Sequence, residues 1–90
     1  MEWKKNIEEM YGKITDQVPE AFRAPVKPML REAAEKTARF RNSGFVTEDD
    51  LLSSLFAITP EAIHPTVVTD LKALGIDAGF IWKKTNKKNY

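Results

Sequence analysis

Apolar residues near the start of the chain fall on one helical face: Trp3, Ile7, Met10 and Ile14, with Tyr11 widening the stripe. Lys4, Lys5, Glu8, Glu9 and Lys13 take the opposite side, so the spacing predicts an amphipathic first helix. Gly12 weakens such a helix by about 1 kcal/mol relative to alanine. Docking against the rest of the chain must supply part of its stability.

The next stretch, "PEAFRAPVKPML", carries Pro19, Pro25 and Pro28. Pro19 followed by Glu20 suits the first turn of a helix, where the missing N–H is no loss and the carboxylate meets the positive end of the dipole. Pro25 and Pro28 are different. Each removes a hydrogen bond and clashes with the carbonyl four residues back, which predicts a break or bend there, with the carbonyls of Ala21 and Ala24 free of helical partners. A long central helix is then expected to run to about Arg41, with Met29, Leu30, Ala33, Ala34, Thr37 and Phe40 facing inward. Glu32 with Lys36, and Glu35 with Arg39, stand at the favourable four-residue spacing.

"RNSGF" ends that helix, since Asn42 and Gly44 tolerate the left-handed conformation of a helix terminus. Thr47 is placed to cap the next one, with Glu48, Asp49 and Asp50 in the first turn and Leu51, Leu52, Leu55 and Phe56 as its apolar stripe. Thr59 and Pro60 repeat the start signal, Pro65 divides the next segment into a turn and a helix, and Val67, Val68, Leu71 and Leu74 lead to Gly75. "PEAFRAPVKPML" and "PEAIHPTVVTDL" share helix-start chemistry rather than a duplication. Ile76, Phe80, Ile81 and Trp82 form an anchoring strip, and residues 83–90 read as a flexible basic tail. The expectation is an all-α fold: one domain, residues 1–82, built as a compact bundle of four to five short helices with a proline-induced bend between the first and the long central helix. Its core is expected to hold Trp3, Ile7, Ile14, Phe22, Leu30, Phe40, Leu51, Leu55, Val67 and Leu71.

Composition narrows the function classes. Ninety residues bury about 60–65% of the surface of the unfolded chain, enough for one core. With 42% hydrophobic and 30% charged residues the chain sits among ordinary globular proteins. It has no cysteine, which removes disulfides, thiolate nucleophiles, cysteine-held zinc and iron–sulfur clusters, and fits a reducing cytoplasm. The charged N-terminus lacks the apolar stretch of a signal peptide or a spanning helix, so no membrane association is expected. The net charge of +1 conceals a segregation: Arg23 to Arg41 is strongly basic, and Thr47 to Asp77 is acidic apart from Lys72. Such blocks either steer an anionic partner or satisfy each other within the domain.

No catalytic signature emerges, and neither enzyme activity nor a cofactor is expected. His64 is the single histidine, which rules out a metal site needing two imidazoles from one chain. Glu48, Asp49 and Asp50 are explained by the helix dipole, and the four glycines are too isolated to form a phosphate-binding loop. The sharper candidate is an edge formed by Arg23, Lys27 and Arg31, with Phe22 as a flat apolar contact beside it. In a roughly helical segment their mutual repulsion would be relieved by solvent, by internal acids, or by an anionic ligand or protein partner carrying carboxylate or phosphate groups.

The order of features resembles a known family. Trp3, the run Val18-Pro19-Glu20-Ala21-Phe22-Arg23, the alanines Ala33, Ala34 and Ala38, then Gly44 and Val46-Thr47 look like the small C-terminal domain of the B subunit of light-independent protochlorophyllide reductase, over about residues 3–57. That parent enzyme is nitrogenase-like and reduces a tetrapyrrole ring with electrons from an iron–sulfur cluster, and its small helical domain lies beside the pigment. The resemblance implies a non-enzymatic accessory or binding module with a tetrapyrrole context. A second stretch, "REAAEKTARFRNSGFVTEDDLL", is similar to the long helix, loop and short helix of a histone fold, which implies the alternative of a dimeric DNA-binding protein. The near-neutral charge sits poorly with that alternative, because duplex binding draws its affinity from phosphate neutralisation.

Overall fold

The computed structural model describes residues 1–86, which form five α-helices: α1 (Lys5–Asp16), α2 (Glu20–Phe40), α3 (Glu48–Ile58), α4 (His64–Ala73) and α5 (Gly79–Asn86), with a single 3-10 turn at Glu61–Ile63. This is the expected all-α bundle. Among the described residues the one extended pairing is a parallel bridge between Glu2 and Phe45. The Glu2 N–H donates to the Gly44 carbonyl at 3.0 Å, and the Val46 N–H donates to the Glu2 carbonyl at 3.0 Å. Trp3 thus precedes α1 instead of lying on its stripe, and its indole N–H reaches Glu35 Oε2 at 2.7 Å.

The expected break at Pro25 and Pro28 does not occur, and α2 runs unbroken through both prolines. The chain turns earlier, around Gln17 to Pro19, and Pro19 directly precedes the first helical residue. The physical reason lies in the phase of the helix. Ala21, Ala24, Pro25 and Pro28 are all exposed, so the carbonyls that lose their donors lie on the wet side, where water can satisfy them. The buried stripe of Leu30, Ala34 and Ala38 is on the other side.

Continuous helix also changes which residues face inward. Phe40 is 91% exposed and Phe22 61%, against the expectation that they belong to the core, and Met29, expected to face inward, is 49% exposed. Phe40 ends α2 on the face away from Ala34 and Ala38, and Met29 and Phe22 belong to a neighbouring stripe shared with Val26. The other expected core residues hold their places: Ile7, Ile14, Leu30, Leu51, Leu55 and Leu71 are buried, with Trp3 and Val67 half-buried against them. Val46, Leu52, Phe56, Ile76, Ala78 and Ile81 complete the cluster.

α3 is the central element, meeting α1, α2 and α5, and its interface with α2 is the most extensive in the molecule. Ala34 and Ala38 keep that interface close, since neither side chain holds the two backbones apart. Thr37 donates its hydroxyl to the Ala33 carbonyl at 3.0 Å, so the buried Ser54 hydroxyl, 3.0 Å away, donates to Thr37. Thr47 caps α3 as expected, within a capping box: its hydroxyl accepts from the Asp50 N–H at 3.2 Å and its own N–H donates to Asp50 Oδ2 at 2.9 Å. Thr59 does not cap the helix beyond it. Its hydroxyl donates back to the Leu55 carbonyl at 2.6 Å, closing the end of α3, and α4 starts at His64 with Pro65 in its first turn.

The left-handed positions are Asn42, with φ 60°, and Gly75, with φ 83°. α5 then docks through the buried Ile81 beside Ile76 and Ala78, leaves Phe80 exposed, and continues past Trp82 to Asn86. The expected boundary at residue 82 therefore falls within a helix, and the last part of the expected tail, residues 87–90, lies outside the described residues.

Candidate functional site

Arg23 and Arg31 of the anticipated basic edge are drawn into separate tasks, and the Lys27 side chain stays on the surface. Arg23 turns its guanidinium back over the α1–α2 turn and donates to the main-chain carbonyls of Asp16 at 3.2 Å and Val18 at 3.1 Å. The Asp16 carbonyl is the last of α1 and Val18 lies in the turn beyond it, so Arg23 ties the end of α1 to that turn. Arg31 pairs with Glu8 through two bonds, Nη1 to Oε1 at 2.9 Å and Nη2 to Oε2 at 3.3 Å. Its guanidinium also lies 4.1 Å from the centre of the Trp3 ring, and Trp3 in turn packs edge-on against Tyr11. The Arg31 hydrogen bond holds the Glu8 carboxyl below the usual range, and the Glu8 bond raises the Arg31 guanidinium further. Lys27 is exposed, and its carbonyl accepts the Tyr11 hydroxyl at 2.5 Å. Phe22 points elsewhere, into a cleft.

Charge segregation is partly resolved inside the domain. Arg41, at the end of α2, donates from Nε to Asp50 Oδ1 at 2.8 Å and from Nη2 to Oδ2 at 2.5 Å. Asp50 is only 2% exposed. Burial pushes its carboxyl up, but the bonds from Arg41 and Thr47 outweigh burial and leave it below its ordinary value. A first-turn acid expected merely to favour the dipole is therefore also the clamp between α2 and α3.

His64 is equally structural. Its Nε2 lies 2.9 Å from the carbonyls of both Phe56 and Thr59, which can only accept, so Nε2 carries the proton. The ring sits edge-on to Phe56 and joins the end of α3 to the start of α4. Among the described residues no three His, Cys, Asp or Glu side chains gather as a metal site. No single helix among them is long and apolar enough to cross a membrane.

What remains open is a cleft of about 550 Å³ between the N-terminal half of α2 and the segment from Pro60 through α4. Phe22, Val26 and Met29 line one wall, and Pro60, Ile63 and Val67 line the other. Ile14, Leu55, Ile58 and Leu71 bring the core to its floor. Asp70 is the one charged side chain in the lining, accompanied by Gln17, Thr59 and Thr66. The volume lies within the range of ligand and anchor pockets, about 300–1,000 Å³. The cleft exists because α4 packs on α5 and on its own 3-10 turn, without an extensive interface to α2.

The signal for this cleft was present in the sequence as Phe22, Val26 and Met29, spaced to share one face of a single helix. A break assumed at the prolines divides that stripe and hides it. No family model matches the chain, and neither a curated protein nor a solved structure does. The resemblance to the protochlorophyllide reductase domain thus rests on the residues that carry it.

Proposed function

We propose that this chain is a non-enzymatic binding module, an accessory domain that holds a partner in the cleft between α2 and α4. One observation carries the reading: Phe22, Met29 and Ile63, 61%, 49% and 47% exposed, converge on a single apolar opening whose floor is the core itself. The tetrapyrrole-reductase context implied by the resemblance belongs to the same proposal as the setting in which that partner would be sought. The cleft is favoured over a DNA-binding face because Arg31 and Arg41 are paired with Glu8 and Asp50, which lowers the free positive charge of the basic stretch.

Nile red, a neutral dye whose emission rises in apolar surroundings, tests the cleft directly. The wild-type chain should enhance its fluorescence, and the Phe22→Ser/Met29→Lys double variant should lose that enhancement while keeping its far-ultraviolet circular dichroism. Equal enhancement by the two proteins would remove the cleft from consideration. A shift in the visible spectrum of added porphyrin, abolished in the same variant, would put pigment in the cleft. Salt-sensitive retardation of duplex DNA by a dimeric form would replace the module reading with the histone-like one.

A further inference from the structure

We infer that the cleft receives the end of α2 from a second copy of this chain, in an antiparallel pairing of the two helices; the inference rests on the module reading above. Along α2 the residues Phe22, Val26, Met29, Ala33, Lys36 and Phe40 follow one another at alternating steps of four and three. That is the a and d spacing of a coiled-coil seam, and it runs about 27 Å down one face. None of the six belongs to the buried set of α2, which is Leu30, Ala34 and Ala38. Val26 and Ala33 are half-buried, and the other four are exposed. Phe22, Val26 and Met29 line the cleft, and Phe40 lies beyond its lining.

Orientation follows from the one charged residue in the seam. A parallel pair sets Lys36 against the partner's Lys36 in one layer, which is repulsive. An antiparallel pair matches a with d positions: Phe22 with the partner's Phe40, Val26 with the partner's Lys36, and Met29 with the partner's Ala33. Val26 lines the cleft, and so does Asp70, the one charged side chain in that lining. The partner's Lys36 is thereby carried to the Asp70 carboxylate, and the two-fold axis repeats the contact in the other cleft. Neither Lys36 nor Asp70 makes an ion pair within its own chain among the described residues. The pairing also covers Phe40, 91% exposed in a single copy, with the partner's Phe22. Each copy has a complete core without its partner, and the axis brings Glu32 near the partner's Glu32, so the association is reversible and depends on concentration.

Analytical ultracentrifugation tests the inference. The wild-type chain should rise from its monomer mass of 10.3 kDa towards twice that value between micromolar and millimolar concentration. Phe40 is on the surface and outside the cleft lining, so Phe40→Ser should lose the pairing while keeping the far-ultraviolet circular dichroism and Nile red enhancement of the dilute wild type. Lys36→Asp and Asp70→Lys should each weaken the pairing about tenfold, and the two changes together in one chain should restore it to within about threefold of wild type. A wild type that stays monomeric overturns the inference, as does pairing that survives Phe40→Ser, or a double variant that pairs no more tightly than either single one. If a monomeric wild type still enhances Nile red, the module reading stands with a different occupant; loss of dye enhancement as well takes that reading down too.

Discussion

The two halves of α2 belong to one unbroken helix and live in different surroundings. From Leu30 to Arg41 the helix is pressed against α3: Leu30, Ala34 and Ala38 are fully buried, Thr37 and Ser54 share a hydroxyl bond, and Arg41 locks onto Asp50. From Glu20 to Met29 it carries two prolines on its wet side and an apolar stripe that no other helix covers among the described residues. The contrast shows how one element both braces a small domain and presents a surface. The braced end supplies rigidity, and the open end tolerates lost helical hydrogen bonds and an exposed phenylalanine because those positions face solvent.

The largest effect should come from the braced end. Leu30→Ala removes a fully buried side chain from the braced half of α2 and should cost about 3–5 kcal/mol, whereas Phe22→Ala, at the open end, should cost less than about 1 kcal/mol. Urea denaturation of the two variants checks this, and comparable losses would erase the distinction.

Next comes the clamp. Asp50→Ala removes both the capping box and the Arg41 partner, and should lower stability by about 2–3 kcal/mol. Folding holds Asp50 below its ordinary 3.8, so the stabilisation it supplies is complete above that value and is lost as pH falls through the lower folded value. Glu8, held below 4.5 by Arg31, adds to the same acid limb. Melting temperature should therefore fall below about pH 4 in the wild type, and less steeply in Asp50→Ala. Parallel acid limbs in the two proteins would show that the clamp carries no charge-dependent stability.

The smallest of the three concerns the prolines. Replacing Pro25 and Pro28 together with alanine restores two exposed helical bonds and releases some unfolded-chain stiffness, for a net gain of about 1–2 kcal/mol. Helical content by circular dichroism should barely change, because α2 already passes through both positions. A marked rise in helicity would mean that the prolines do interrupt the helix in solution.

Much of the architecture is legible in local chemistry. Thr47 with three acids behind it, Gly75 after a leucine-rich run, and the Ile7–Ile14 stripe each announce their element, because capping, dipole and periodicity act over a few neighbouring residues. The candidate site is less so. Phe22, Arg23, Lys27 and Arg31 invite reading as one edge, but Arg23 finds the carbonyls of Asp16 and Val18, Arg31 finds Glu8 and Trp3, and Phe22 enters the cleft. Each of these outcomes depends on where α1 and α4 lie against α2, which spacing along α2 alone does not encode.

The sequence by itself determined the all-α class, the Ile7–Ile14 and Leu51–Phe56 stripes, the cap of α3 and the absence of thiol chemistry, since these depend on residue type and near-neighbour spacing. Only the tertiary structure decided that Pro25 and Pro28 lie within a helix, because their cost depends on whether the orphaned carbonyls meet water or core. It decided likewise that Asp50 is a buried clamp and not merely a favourable first-turn acid, and that Phe22, Val26 and Met29 face an open cleft. A side chain's burial and partners are set by segments distant in sequence, and α4, by packing on α5 instead of α2, leaves that cleft uncovered.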